Sequence, residues 1–405
     1  MASGIEPPRE AVRERRTELD AMRVLVVIGL VFFHASLVFD ARADFYVKNA
    51  ETTGLTFLVA PFCVVWAMPL LFLIAGLAAR HSVRRRGPGG FAVERLLRLG
   101  VPLAFAMVAI VPIPPWLRLR THPGYHASYL EFLPRFFHVR FDPGGFPFVV
   151  RGVFFETGHL WFVVLLFAFS LLLAPLVRWF PVEGSRLPAL ASTRAGLLLL
   201  GVPVAVAAAA AGLGEALGGW NRWAYLVFFL YGFLFAAEPE VRAAIRRQAR
   251  FAAVAGFLVL AAGVPGFVMT SAADVFTGLT PAAIGVRALY GMAAWCLLVA
   301  LVGLLDRPRA PGAATDRAVP RPAAHLAAHL TAYLAPAALP LYILHQPIVV
   351  GVAYLVVGWN VPMVVKYPVI VVLSLALTVA AYDLLVRRTR LTACLFGLRG
   401  PVARG

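Results

Sequence analysis

The feature that most constrains this chain is a series of apolar runs, each close to the length of one bilayer crossing. A spanning helix needs about 20 consecutive, mostly apolar residues. Ten such runs lie along the sequence, at 19–39, 57–79, 97–115, 159–178, 194–213, 221–237, 250–270, 283–305, 332–357 and 366–386. Soluble domains carry about 25% charged residues. Here 14% are charged and 61% hydrophobic, too few charges to cover a wet surface. The expected fold class is all-α, a polytopic integral membrane bundle of about ten transmembrane helices. The expected organisation is a tail at 1–18, a bundle at 19–388 and a second tail at 389–405. No internal repeat is visible, which weighs against transporter folds built from repeats.

The basic residues set the expected orientation. Of the 37 lysines and arginines, 26 fall in loops 1–18, 80–98, 178–194, 238–250, 306–331 and 387–405, and nine fall in the opposite loops. Short cytoplasmic loops concentrate Lys and Arg, so both termini are expected in the cytoplasm. The net charge of +17 is then a topology signal and a lipid-headgroup contact. Nucleic acid is not an expected partner, because no basic stripe has a soluble scaffold. The bilayer is. The 306–331 stretch, rich in Ala, Pro and Arg, reads as a cytoplasmic linker. The longest opposite loop, 116–158, is rich in Arg, His and aromatics and reads as an extracytoplasmic lid of short interfacial helices.

Arg13, Arg15 and Arg16, the apolar stretch from Val24 to Phe39 and Ala41-Arg42-Ala43 imitate a secretory signal. The polar lead is long and the apolar stretch carries ionisable residues, so a retained first helix is expected. Cys63, Cys296 and Cys394 are far apart, odd in number and without metal-ligand spacing. They read as small buried hydrophobes, and no metal site is expected.

An ionisable group within a membrane helix is costly and marks function by default. The first span has three, Asp20, Arg23 and His34. Arg23 and His34 are eleven residues apart, close to three turns, which puts both on one face about 16 Å apart along the axis. Asp20 is one turn before Arg23 on that face. The stripe must look into the bundle or a wet cavity. Neutral histidine suits a general base near neutral pH, and arginine suits a phosphate or carboxylate. A structural Asp–Arg pair with a hydrogen-bonded core histidine is the alternative the residues leave open.

His159 opens the fourth span in Gly158-His159-Leu160-Trp161-Phe162. His345 lies within the ninth, in Leu341-Tyr342-Ile343-Leu344-His345-Gln346-Pro347. Core and site roles are both open for each. Pro347 lacks an N–H, so it frees the carbonyl of Ile343 where polar side chains gather. Arg95 and Arg98, spaced i, i+3 near Arg84, Arg85 and Arg86, would present two guanidinium groups to phosphates. The same cluster also suits plain positive-inside topology.

Several of these pieces, taken in order, resemble the membrane-bound acyltransferase family 3, particularly its branch that includes glucan succinyltransferases. Arg23, ten residues and His34 are similar to that family's Arg-x10-His signature. Met68-Pro69-Leu70-Leu71-Phe72-Leu73-Ile74-Ala75-Gly76 is similar to its second-helix motif. Glu94-Arg95-Leu96-Leu97-Arg98 before Val101-Pro102 resembles its cytoplasmic Arg-x-x-Arg motif. His159-Leu160-Trp161-Phe162 and Tyr342 to Pro347 complete the series. The resemblance implies a multi-pass enzyme of the bacterial inner (plasma) membrane. It implies a cytoplasmic acyl-CoA donor, no permanently bound cofactor, and a hydroxyl of a cell-envelope carbohydrate or glycolipid as acceptor. Carried over by position, His34 is the general base with Arg23, beside Asp20, as its signature partner. Arg95 and Arg98 contact the CoA phosphates, and His159, Trp161 and His345 are secondary candidates. The rival from another class is a transporter or flippase for a polysaccharide or lipid-linked sugar, which would use the same buried charges as a relay. Dependence on acyl-CoA separates the two.

Overall fold

The computed structural model describes residues 17–177, 189, 191–235, 238–269, 272–306 and 322–398. Within them the chain is a helical bundle. Eight stretches are long and apolar enough to cross a bilayer: Glu18–Leu37, Cys63–Arg120, Gly158–Leu176, Arg194–Ala211, Pro239–Met269, Pro281–Leu305, His329–Val356 and Met363–Val386, with Arg222–Leu234 a shorter apolar helix. The second covers two of the expected runs. Its 58 residues at 1.5 Å per residue would be about 87 Å long if straight, far more than a hydrocarbon core of about 30 Å.

The helices are α1 (Thr17–Leu37), α2 (Leu55–Arg95), α3 (Val101–Ala109), α4 (Ile113–Arg120), α5 (Tyr129–Phe136) and α6 (Trp161–Leu176). After them come α7 (Arg194–Leu199), α8 (Gly201–Ala211), α9 (Arg222–Leu234), α10 (Pro239–Met269), α11 (Ala272–Thr277), α12 (Pro281–Leu305), α13 (Pro322–Val356), α14 (Met363–Ala381) and α15 (Arg390–Leu395). One two-stranded ribbon, β1 (Val139–Phe141) with β2 (Val150–Gly152), joins them.

The expected loop 80–98 is a correction. Helix α2 runs on to Arg95 and is broken only at Gly87, where φ is 69°. That backbone is open to glycine and strained for other residues. Across the break Ser82 donates to Glu94, and Arg86 pairs with Glu94 at 3.0 Å, so the two arms fold back on each other. A π-helical turn, Leu96–Gly100, follows before α3. Arg80 is not a loop residue either. It is 2% exposed, donates to the carbonyls of Phe233 (3.1 Å) and Leu234 (2.7 Å) and pairs with Glu238. It thereby satisfies the end of α9, whose last carbonyls have no intrahelical partner.

Other boundaries move for a similar reason. Helix α10 begins at Pro239 rather than 250, because Arg, Ala and Gln are good helix formers and the helix continues past its apolar run. Helix α13 begins at Pro322, so the second half of the expected 306–331 linker is helical, while 307–321 lie outside the described residues. The expected 194–213 span is split between α7 and α8, and the expected 389–405 tail contains α15. Residues 1–16 of the expected N-terminal tail also lie outside the described residues.

Helices α2 and α9 cross closely. A Cβ on Gly76 would stand 1.9 Å from the Phe229 carbonyl oxygen, and one on Gly232 would stand 1.9 Å from that of Leu73. Small residues that let backbones touch are the usual basis of helix association in membranes. Gly76, the last residue of the second-helix motif, is therefore a packing contact.

The 116–158 loop contains the expected short helices, α4 and α5, the latter opened by a Ser128–Glu131 capping box. The β1–β2 ribbon was not expected from the sequence. Phe132 and Phe136 are fully buried beneath the loop. At its end the Tyr46 hydroxyl donates to Glu156, with the Arg118 guanidinium 5.1 Å over the Tyr46 ring and Asp44 held by Arg118. Burial raises the Glu156 carboxyl above its ordinary range, against the lowering effect of the Tyr46 hydrogen bond and Arg118. Burial also drives the Tyr46 phenol upward.

Gly76→Val should lower the thermal midpoint in detergent by the equivalent of about 1–3 kcal/mol or more, the cost of forcing bulk into a packed contact. Gly29→Ala, where a Cβ meets nothing within 4 Å, should leave the midpoint unchanged, and equal midpoints for both variants would sink the packing role. Glu156 binds its proton more tightly folded than unfolded. Its contribution is thus present at acid pH and lost as pH rises through the raised folded value. The thermal midpoint of wild type should fall more steeply than that of Glu156→Gln from about pH 4 upward, and parallel curves would refute the assignment.

Candidate active site

Helix α1 positions the first set of candidates. Arg23 lies at its start, held to Asp20 at 3.1 Å and donating to the Ala335 carbonyl of α13 at 2.7 Å. His34 lies near its end, with its ring 5.2 Å from that of His345, also on α13. The two helices therefore run parallel, Arg23 beside Ala335 and His34 beside His345. The polar stripe faces α13 inside the bundle. Arg23 and His34 lie at opposite ends of that contact.

The stripe's upper end meets a second arrangement. His345 is fully buried and His159 is 6% exposed. The His159 and His345 rings are 5.2 Å apart, at 83°. His34, His345 and His159 thus form a row, with His345 in the middle. Phe45 stacks on the other side of His34 at 6.1 Å.

Helix α13 holds His159 at several points. The His159 N–H donates to Gln346 Oε1 at 3.1 Å, and the Tyr342 hydroxyl donates to the His159 carbonyl. His159 Nε2 lies 3.0 Å from the Ile343 carbonyl. A carbonyl only accepts, so Nε2–H donates. In a neutral ring this leaves the lone pair on Nδ1. The Ile343 carbonyl is the one Pro347 leaves without its helical partner, and the imidazole of another helix takes it up. Tyr342 and Gln346 belong to the same site. The signal for them was their place in the Tyr342-to-Pro347 segment.

His345 has a fixed tautomer too. Its Nδ1 donates to the Tyr342 carbonyl at 2.7 Å, so its Nε2 is the acceptor nitrogen. That Nε2 is buried and has no hydrogen-bond partner, and the same is true of His34 Nδ1. Such atoms are uncommon in folded proteins, and each calls for an explanation. Among the described residues no group of three or more His, Cys, Asp or Glu could hold a metal ion.

Trp161 is not in the row. It stacks on Tyr225 at 5.2 Å, and Tyr225 stacks on Phe72 at 4.5 Å, an aromatic column between α2, α6 and α9. Arg95 and Arg98 are unlike in setting. Arg95 is 8% exposed and lies 5.0 Å over the Phe91 ring. The Arg98 side chain is 40% exposed and reaches Glu94 at 3.5 Å. Glu94, which draws in Ser82, Arg86 and Arg98, is the organising residue of that basic cluster; the sequence motif includes it but assigned it no role.

A cavity of about 770 Å³, counted out to its open mouth, lies on another face of α1. Leu19, Met22, Leu77 and Leu298 line it, with Glu18, Arg242 and Asp306 at one end. At 3.6 residues per turn its side of α1 is roughly a third of a turn from the Asp20–Arg23–His34 stripe. Its buried polar groups are already used: Tyr231 donates to Leu200 and Trp295 to Leu197, both at 2.7 Å. No histidine of the row lines it.

Compared with known proteins, the chain matches the acyltransferase domain model (acyltransferase family 3) over residues 16–383. No curated protein and no solved structure matches it. With that match spanning most of the chain, and with a multi-pass helical bundle enclosing the row, the protein belongs to acyltransferase family 3, a family of membrane acyltransferases that act on non-aminoacyl acceptors.

Proposed function

We propose that the protein is an O-acyltransferase of the bacterial plasma membrane. It moves an acyl group from cytoplasmic acyl-CoA to a hydroxyl of a cell-envelope carbohydrate or glycolipid. The observation that carries this reading is the pair of partnerless buried nitrogens, His34 Nδ1 and His345 Nε2, on adjacent rings inside the bundle. His345 Nε2 carries a lone pair, and an imidazole nitrogen without an internal partner is suited to an incoming hydroxyl.

In the proposed step His34 takes the hydroxyl proton as the alkoxide oxygen attacks the thioester carbonyl. The C–O ester bond forms and the C–S bond breaks. The proton then passes to the departing CoA sulfur, so that ester and thiol are the products. His345 supports the step from the middle of the row, its tautomer fixed by the Tyr342 carbonyl. His159, clamped by Tyr342 and Gln346, positions the row rather than opening it. Arg23, with Asp20, sits near the start of α1, where it ties α1 to α13. Arg95 and Arg98, gathered near Glu94, serve the CoA phosphates, for which guanidinium groups are well matched.

His34→Ala and His345→Ala should each lower kcat by about 10²- to 10⁴-fold, the usual worth of positioned acid–base help. Labelled acyl-CoA and a hydroxyl acceptor in nanodiscs would measure this, beside a thermal midpoint showing that each variant is folded. A folded His34→Ala variant with undiminished kcat would remove the base assignment. Arg98→Ala should raise KM for acyl-CoA about 10- to 100-fold, the equivalent of one charge-assisted hydrogen bond. The acceptor KM should stay unchanged. An unchanged donor KM would remove the phosphate assignment.

A further inference from the structure

The β1–β2 ribbon is amphipathic in an unusual way. Its register pairs Val139 with Gly152, Arg140 with Arg151 and Phe141 with Val150. Because side chains alternate along a strand, Val139, Phe141 and Val150 share one face and Arg140 and Arg151 the other. Phe141 is 71% exposed, Phe146 in the connecting turn 50%, and neither strand is buried on either face. Two arginines directly opposite each other destabilise a ribbon left in water. Here Arg151 is held by Asp142 at 2.6 Å.

The position of the ribbon is set from outside it. Arg222, the first residue of α9, donates to the Phe146 carbonyl, and Trp223 beside it is 55% exposed. Helix α9 is a short apolar helix, and an exposed tryptophan at its start fits the aromatic belt of a membrane–water boundary. The loop's ends join α3 and α6, both parts of apolar stretches long enough to cross a bilayer. The turn of the ribbon is thus tied to the start of α9, with exposed aromatics and arginines around it.

We infer that this ribbon is an interfacial anchor that seats in the phospholipid leaflet on its own side of the bundle. Phe141 and Phe146 enter the headgroup–acyl boundary, and Arg140, Arg151 and Arg222 meet lipid phosphates. Apolar insertion combined with cationic contacts is how monotopic segments hold a bilayer surface. The charge pattern matches a lipid surface, where phosphates add counter-charge for Arg140, which faces the Asp142-held Arg151. This inference does not depend on the proposed acyl transfer.

The test is depth measurement by spin labels in nanodiscs of phosphatidylcholine and phosphatidylglycerol. Cys63, Cys296 and Cys394 are first replaced by Ser, and Phe141→Cys and Arg140→Cys are labelled separately. Monodisperse elution and an unchanged thermal midpoint establish that each variant is folded. The label at 141 should collide more with oxygen than with a water-soluble nickel chelate, and the label at 140 should show the reverse. Equal, water-like accessibility at both positions would overturn the anchor. So would shielding of position 141 from both probes, which would mean that protein covers it instead of lipid.

Discussion

A backbone carbonyl inside a bilayer has no water to accept from, and much of this bundle is organised around finding such carbonyls a donor. Arg80 caps α9, and Arg287, fully buried, donates to Ala209 at the end of α8 and to Val275 in α11. Lys48 gathers the carbonyls of Leu37, Asp40 and Ala43 at the end of α1, while Lys366 takes that of Val357 after α13 and the Asn49 side chain. Arg23 takes Ala335 midway along α13. Each is a long, cationic side chain spent on a structural hydrogen bond, where leaving the carbonyl unmade would be the more costly outcome.

The histidine row grows from the same constraint. Three prolines interrupt α13, and each removes a donor from the helix ladder. The carbonyl above Pro347 is satisfied by His159 from another helix, and in return Tyr342 and Gln346 hold the His159 backbone. The break in one helix thus becomes the latch for another. The latch brings His159 and His345 together beneath the end of α1, where His34 completes the row. The members of the row are thus also contacts that hold the fold together. The row's two partnerless nitrogens are the ones that lie on adjacent imidazole rings.

The basic residues show how one composition serves two ends. Read by loop, they orient the bundle. In the structure Arg80 and Arg287 are interior caps, and Arg86 and Arg98 converge on Glu94 at the Gly87 fold-back. The fold-back also explains why the interval between two expected spans is helical. Backbone hydrogen bonding continues through Arg84 and Arg85 until the chain reaches a glycine that can turn.

Hydropathy alone determined the class of this protein, since runs of about 20 apolar residues have no other stable home. Helical spacing alone put Asp20, Arg23 and His34 on one face, and the position of Pro347 alone located the carbonyl that needed a donor. What only the tertiary structure decided is which helix that face meets and which residue answers that carbonyl. His34 meets His345 across 311 residues of chain, and His159 reaches Ile343 across 184. No local period records such pairings. They depend on how whole helices pack, and that depends in turn on contacts such as Gly76 against Phe229, where the absence of a side chain sets the crossing. The β1–β2 ribbon escaped reading for a related reason: three-residue strands carry too little alternation to register, and the turn between them is held by Arg222, far along the chain.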